Sequence, residues 1–151
     1  MPILVYLTLG VSPTYGNPAP VLERIRILDT PRPINDAEII NQNGEPFKLS
    51  ELHGKISLIF FGFTNCPDVC PVVMAKWRDL QRSDEIDSDQ LNFVFISVDG
   101  ERDTPEVLKR FLLDFSDKFI GLTSSPQKIK PIAKNFSAAF FKDNPSTNRE
   151  S

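Results

Sequence analysis

The chain has 151 residues, a formal net charge of −3, 40% hydrophobic residues and twelve Phe. That is one domain's worth of chain with material for a packed core, and the mild, dispersed charge excludes a nucleic-acid surface. Two cysteines are too few for a disulfide-dense scaffold or a four-cysteine zinc site, and His53 is the only imidazole in the chain.

From the N-terminus, Met1 to Val11 carries the apolar run Ile3-Leu4-Val5-Tyr6-Leu7. It is about half the length of a membrane span, and no Lys or Arg precedes Arg24, as a signal peptide would want. A remnant of an export or anchor segment and a free apolar tail both fit. Residues 12–35 hold Pro13, Pro18, Pro20, Pro31 and Pro33 without a hydrophobic period, which predicts an extended linker. Residues 1–35 are therefore set apart from a domain over 36–141, with a polar tail at 142–151.

Glu38 to Leu49 predicts a hairpin turning at Asn43-Gly44, and Ser50 to Gly54 a single helical turn. Ile56 to Phe63 is nearly unbroken apolar sequence, the pattern of a central strand covered on both faces. A helix is expected to begin at Pro71 and to bury Val73, Met74, Trp77 and Leu80 as core rather than as metal contacts. Leu91 to Val98 predicts a second strand. Asp103-Thr104-Pro105 predicts a helix cap ahead of the stripe Val107, Leu108, Phe111, Leu112, Phe115. Ser125-Pro126 opens a third helix with Ile129, Ile132, Ala133 and Phe136 inward, and Ala138 to Phe141 reads as the start of another strand. Strands alternating with helices predict an α/β sandwich on a parallel sheet. The count of strands is short by a closing hairpin and a covering helix.

The chemistry gathers in Phe60-Phe61-Gly62-Phe63-Thr64-Asn65-Cys66-Pro67-Asp68-Val69-Cys70-Pro71. A buried strand delivers a loop with two thiols, and a helix follows at once. Pro71 biases Cys70 away from helical geometry, which predicts Cys70 at the helix cap. Near a helix N-terminus unpaired N–H groups favour thiolates. Such a pair can close into a disulfide or hold a soft metal. Two cysteines serving only as small apolar core residues would not explain a proline directly after each thiol. Asp68 between them reads as a solvated loop acid, Asp99 as a strand-end turn residue and Asp103 as a cap. Asn65-Cys66-Pro67 lacks a nearby basic residue, which argues against a peroxidase.

The cysteine segment resembles the signature of the Sco/SenC family of copper chaperones. Ser97-Val98-Asp99-Gly100-Glu101-Arg102-Asp103-Thr104-Pro105 is similar to its second stretch and Gly121-Leu122-Thr123-Ser124-Ser125-Pro126 to a third. The resemblance runs from about Ile39 to Phe141. Gly100 departs from the family's usual proline and is expected to loosen a turn.

The resemblance implies a thioredoxin-like fold and a membrane tether. It implies a copper ion held by both cysteines and a distal histidine, with delivery to cytochrome c oxidase subunit II. Cys66 and Cys70 match the two thiolate ligands. The family's histidine falls beyond Ser151, and His53, upstream in a Leu-His-Gly-Lys turn, does not match it. The implied location is periplasmic or inner-membrane-associated in a bacterium, or the mitochondrial inner membrane in a eukaryote. The expected function is copper binding in assembly of the oxidase copper centre rather than enzymatic turnover. The alternative is a thiol–disulfide oxidoreductase with Cys66 and Cys70 as its redox pair. The Cys-x3-Cys spacing, one residue longer than the usual redox motif, weighs against that alternative as the main role.

Overall fold

A computed structural model of the chain describes residues 28–34, 36–84 and 86–140. The apolar N-terminal run, most of the linker, Phe141 and the polar tail lie outside them. The chain divides into two units, Met1–Pro31 and Arg32–Ser151, and every element below belongs to the second.

The strands are β1 (Glu38–Asn41), β2 (Pro46–Lys48), β3 (Ile56–Gly62), β4 (Leu91–Ser97) and β5 (Ile120–Thr123). The helices are α1 (Val69–Arg82), α2 (Pro105–Leu113) and α3 (Pro126–Asn135). One five-stranded sheet runs in the order β2-β1-β5-β4-β3. β3, β4 and β5 are parallel, and β1 is antiparallel to both β5 and β2. The chain steps from β3 to β4 to β5 in one direction across the sheet, so the two crossover helices share a face when both turns are right-handed.

The core confirms that layering. β4 is buried along most of its length, and its side chains alternate between two clusters. Phe93 and Phe95 join Cys70 and Met74 of α1, Leu108 and Leu112 of α2, and Phe119. Val94 and Ile96 join Ile39, Leu122 and the α3 residues Ile129 and Ile132. Trp77 lies edge-on to Phe60 and Phe119, with ring centroids 6.3 and 5.9 Å away, so it is core as expected.

Four local expectations need correction. Ile120–Thr123, read only as part of a motif, is a strand. It is four residues long with Gly121 inside it, so its identity comes from pairing with β1 and β4 rather than from its own pattern. β3 is an edge strand among the described residues, not a central one. Leu58 and Phe60 face α1 while Ile59 and Phe61 face the α3 side, but with one neighbouring strand they stay half-buried. Residues 138–140 form no strand. Finally, α1 starts at Val69, two residues before Pro71. Proline is tolerated there because the first-turn N–H groups have no intrahelical partner to lose.

Candidate metal centre

β3 ends at Gly62, and the backbone then makes a tight turn in which the Cys66 N–H donates to the Phe63 carbonyl at 3.3 Å. Asp68 is the residue before the first turn of α1, yet its side chain caps nothing. The sulfur of Cys66 takes that role. It accepts from the backbone N–H groups of Asp68, Val69 and Cys70 and from the Cys70 thiol, and these donors hold its pKa below the ordinary thiol value. Cys70 sits inside the first turn of α1 rather than at the cap, which is what lets its own N–H face the Cys66 sulfur.

The second thiol is in a different medium. Cys70 is 2% exposed, packed with Met74 and Phe95, and burial pushes its pKa up to about 11. The Phe63 N–H opposes that shift, whereas the Cys66 sulfur and the Asp103 charge add to it. The Cys70 sulfur lies over the backbone of Gly62: a Cβ built there would meet it at 2.9 Å, with Phe60 Cε1 at 2.8 Å and Phe95 Cε2 at 3.0 Å. Only glycine admits this approach. Both cysteines are free thiols, side by side, one at the surface and one behind it.

This asymmetry predicts a rate difference. A thiol held at about 11 instead of 9.0 carries about a hundredth of the thiolate at neutral pH. Cys66, shifted the other way, carries more than usual. Iodoacetamide at pH 7 is therefore expected to label Cys66 at least about a hundredfold faster than Cys70. The gap should narrow as pH rises, because Cys66 saturates first while Cys70 keeps ionising. Mass-spectrometric mapping of initial labelling reads both sites, and equal rates at pH 7 would contradict the geometry.

The remaining sequence candidates fall elsewhere. His53 is exposed at the end of the 3-10 turn Leu49–Leu52. Among the described residues no group of three or more His, Cys, Asp or Glu is placed to hold a metal ion, so the two sulfurs stand as a soft two-donor pair. Asp68 is exposed, and only its backbone serves the site. Asp99 is a turn residue as expected, pairing with Arg102. Asp103 is not the cap of α2. That role belongs to Thr104, whose hydroxyl accepts from the Val107 N–H at 3.4 Å. Asp103 is instead buried and grips Thr64 of the cysteine turn, a role with no local sequence signal. Nor does Gly100 loosen its turn: a Cβ there would collide with the Ser124 carbonyl, so the β4–α2 loop is pressed tightly onto the end of β5.

This arrangement has close counterparts. The SCO1/SenC family model matches residues 30–151. The SCO2-like protein of Rickettsia felis is 44% identical over 109 residues, covering 72% of this chain and 53% of that protein. The chain thus spans about half the length of that relative. Bradyrhizobium japonicum ScoI, solved with copper bound, superposes with a TM-score of 0.67 at 35% identity, covering 77% of this chain and 73% of the other. BsSco, described as having a disulfide switch and as a member of the Sco family of cytochrome c oxidase assembly proteins, gives 0.62 at 27% identity, over 80% and 72% of the two chains. A thioredoxin-like sheet, two thiols where its edge strand meets α1, and a family match over most of the chain lead to one assignment: the chain belongs to the SCO1/SenC family.

Proposed function

We propose that this chain binds a copper ion between the sulfurs of Cys66 and Cys70 and serves in assembly of the cytochrome c oxidase copper centre, with oxidase subunit II as the recipient. The copper is cargo rather than a resident cofactor. The observation that carries the proposal is the contact between the two sulfurs, which puts two soft donors on one side of a helix N-terminus. Thiolates select Cu(I) over harder divalent ions. The N–H groups of Asp68, Val69 and Cys70 stabilise negative charge on Cys66 before any metal arrives. Cys70 gives up its proton when metal replaces the hydrogen bond between the two thiols, so binding should release protons. Location at a membrane facing the oxidase follows from the same proposal. No helix among the described residues is long and apolar enough to cross a membrane.

The test is an anaerobic Cu(I) titration of the reduced chain against a chromophoric chelator. One copper per chain is expected, falling to none after both thiols are alkylated. Copper that stays bound after alkylation would remove the cysteines from the site.

One observation favours a second role as a thiol–disulfide oxidoreductase. The two thiols differ in the sense an exchange reaction uses, with an outer sulfur held toward thiolate and an inner one held protonated. A wild-type chain that exchanges disulfides with a partner's cysteines but binds no Cu(I) would make this the main function.

A further inference from the structure

The turn that carries Cys66 is held from beneath by a carboxylate. Asp103 is 1% exposed, and its two oxygens accept three hydrogen bonds. Oδ1 takes the Thr64 hydroxyl at 2.6 Å, and Oδ2 takes the Thr64 N–H at 2.9 Å and the Ser97 hydroxyl at 2.6 Å. The backbone of the same residue is equally committed. Its N–H donates to the Asp99 carbonyl at 2.9 Å and its carbonyl accepts from the Thr123 hydroxyl at 2.8 Å. One residue thereby joins the ends of β3, β4 and β5 at the threshold of α2.

Burying an ionised carboxylate is costly unless donors replace its water. Among the described residues no Lys or Arg forms an ion pair with Asp103; the adjacent guanidinium of Arg102 is turned to Asp99 and is largely exposed. The replacement is made by neutral donors, and two of the three belong to Thr64, two residues before Cys66. Helix capping does not explain the arrangement, since Thr104 does that work. A fold needing only a filled position here would be served as well by a small apolar residue.

We propose that Asp103 is a positioning residue for the dithiol, fixing the turn from Phe63 to Cys66 so that the Cys66 sulfur faces Cys70 over the helix N-terminus. Its importance for copper rests on the proposed function. Its effect on the two thiols does not, because their separation governs disulfide formation as well. Oxidation of the pair transfers two electrons and two protons from the Cys66 and Cys70 thiols to glutathione disulfide. One protein S–S bond forms, the glutathione S–S bond breaks, and two glutathione molecules result. The equilibrium constant of that exchange reads how well the sulfurs are presented to each other.

The experiment measures this constant for the wild-type chain, Asp103→Asn and Thr64→Val. Asp103→Asn keeps the shape but offers one acceptor oxygen where the carboxylate offers two. Thr64→Val removes only the hydroxyl from the grip and leaves Asp103 bonded to Ser97 and to the Thr64 N–H. Ile129→Val thins the core on the opposite face of the sheet and measures how far general destabilisation alone moves the constant. We expect either turn variant to shift the constant by about tenfold relative to Ile129→Val, equivalent to about 30 mV for a two-electron couple. Far-UV circular dichroism should be unchanged. If Asp103→Asn does not fold, Thr64→Val decides alone. A shift of fivefold or more in a folded variant carries the proposal, and smaller shifts in every folded turn variant overturn it. A wild-type chain that binds no copper would sink the copper proposal while leaving this measurement intact.

Discussion

Replacing Cys66 with serine is expected to cut Cu(I) occupancy from one ion per chain to roughly a tenth or less at chelator concentrations where the wild type stays saturated. The reason is chemical rather than structural. A serine hydroxyl is hard and stays protonated at neutral pH, so the soft ion would lose one of the two thiolates proposed to hold it. Cys66→Ser is the cleaner of the two substitutions. Its oxygen can still accept from the N–H groups of Asp68, Val69 and Cys70, so the start of α1 keeps its cap and the melting temperature should change little.

Cys70→Ser should abolish copper equally, but it also places a hydroxyl in the apolar pocket with Met74 and Phe95. The Phe63 N–H and the Cys66 sulfur can still serve it as partners, so the expected loss is below the roughly 1–3 kcal/mol of an unsatisfied buried hydroxyl. Cys70→Ala, which removes ligand and polarity together, separates the two effects. A Cys66→Ser chain that retains one tightly held copper would end the assignment of this sulfur as a ligand.

Gly62→Ala is the second large effect, and it reaches the site from behind. The new methyl would stand 2.9 Å from the Cys70 sulfur and 2.8 Å from one aromatic ring carbon, both closer than real contacts allow, and 3.0 Å from a second ring carbon, tighter than most. The rings belong to Phe60 and Phe95, which are packed on each other and on neighbouring aromatics, so little slack exists to absorb it. Overpacking of this kind costs about 1–3 kcal/mol. The sulfur, at the end of a short side chain, is the group expected to yield. Chemical denaturation should therefore show a lower midpoint with an unchanged slope, and the same preparation should hold Cu(I) more weakly than wild type. A Gly62→Ala chain with wild-type stability and wild-type copper retention would mean that Cys70 does not lie over β3.

How much of this was visible in the residues varies from element to element. The cysteine turn was legible because its signals are local: an apolar run, two thiols, and a proline after each. The stripes of α1, α2 and α3 were legible for the same reason, since helical burial writes itself at intervals of three and four residues. β5 was not, because four residues around Gly121 carry no periodicity, and only β1 and β4 on either side make them a strand. Asp103 misled for a related reason. Asp and Thr are both good capping residues, and adjacent in sequence they cannot be told apart. The distinction lies in Thr64, which is 39 positions away in the chain and 2.6 Å away in space. Gly100 gave no warning either, since its tight neighbour, the Ser124 carbonyl, comes from another loop.

The placement of the two sulfurs also limits the directions from which anything can reach them. Behind Cys70 stand the Gly62 backbone and a wall of phenyl rings, and beneath Cys66 runs the first turn of α1. Of the two sulfur-bearing residues, Cys66 is the one with exposed surface. An ion or thiol drawn to this pair, as the proposed function requires, would therefore meet the half-exposed Cys66 before the buried Cys70.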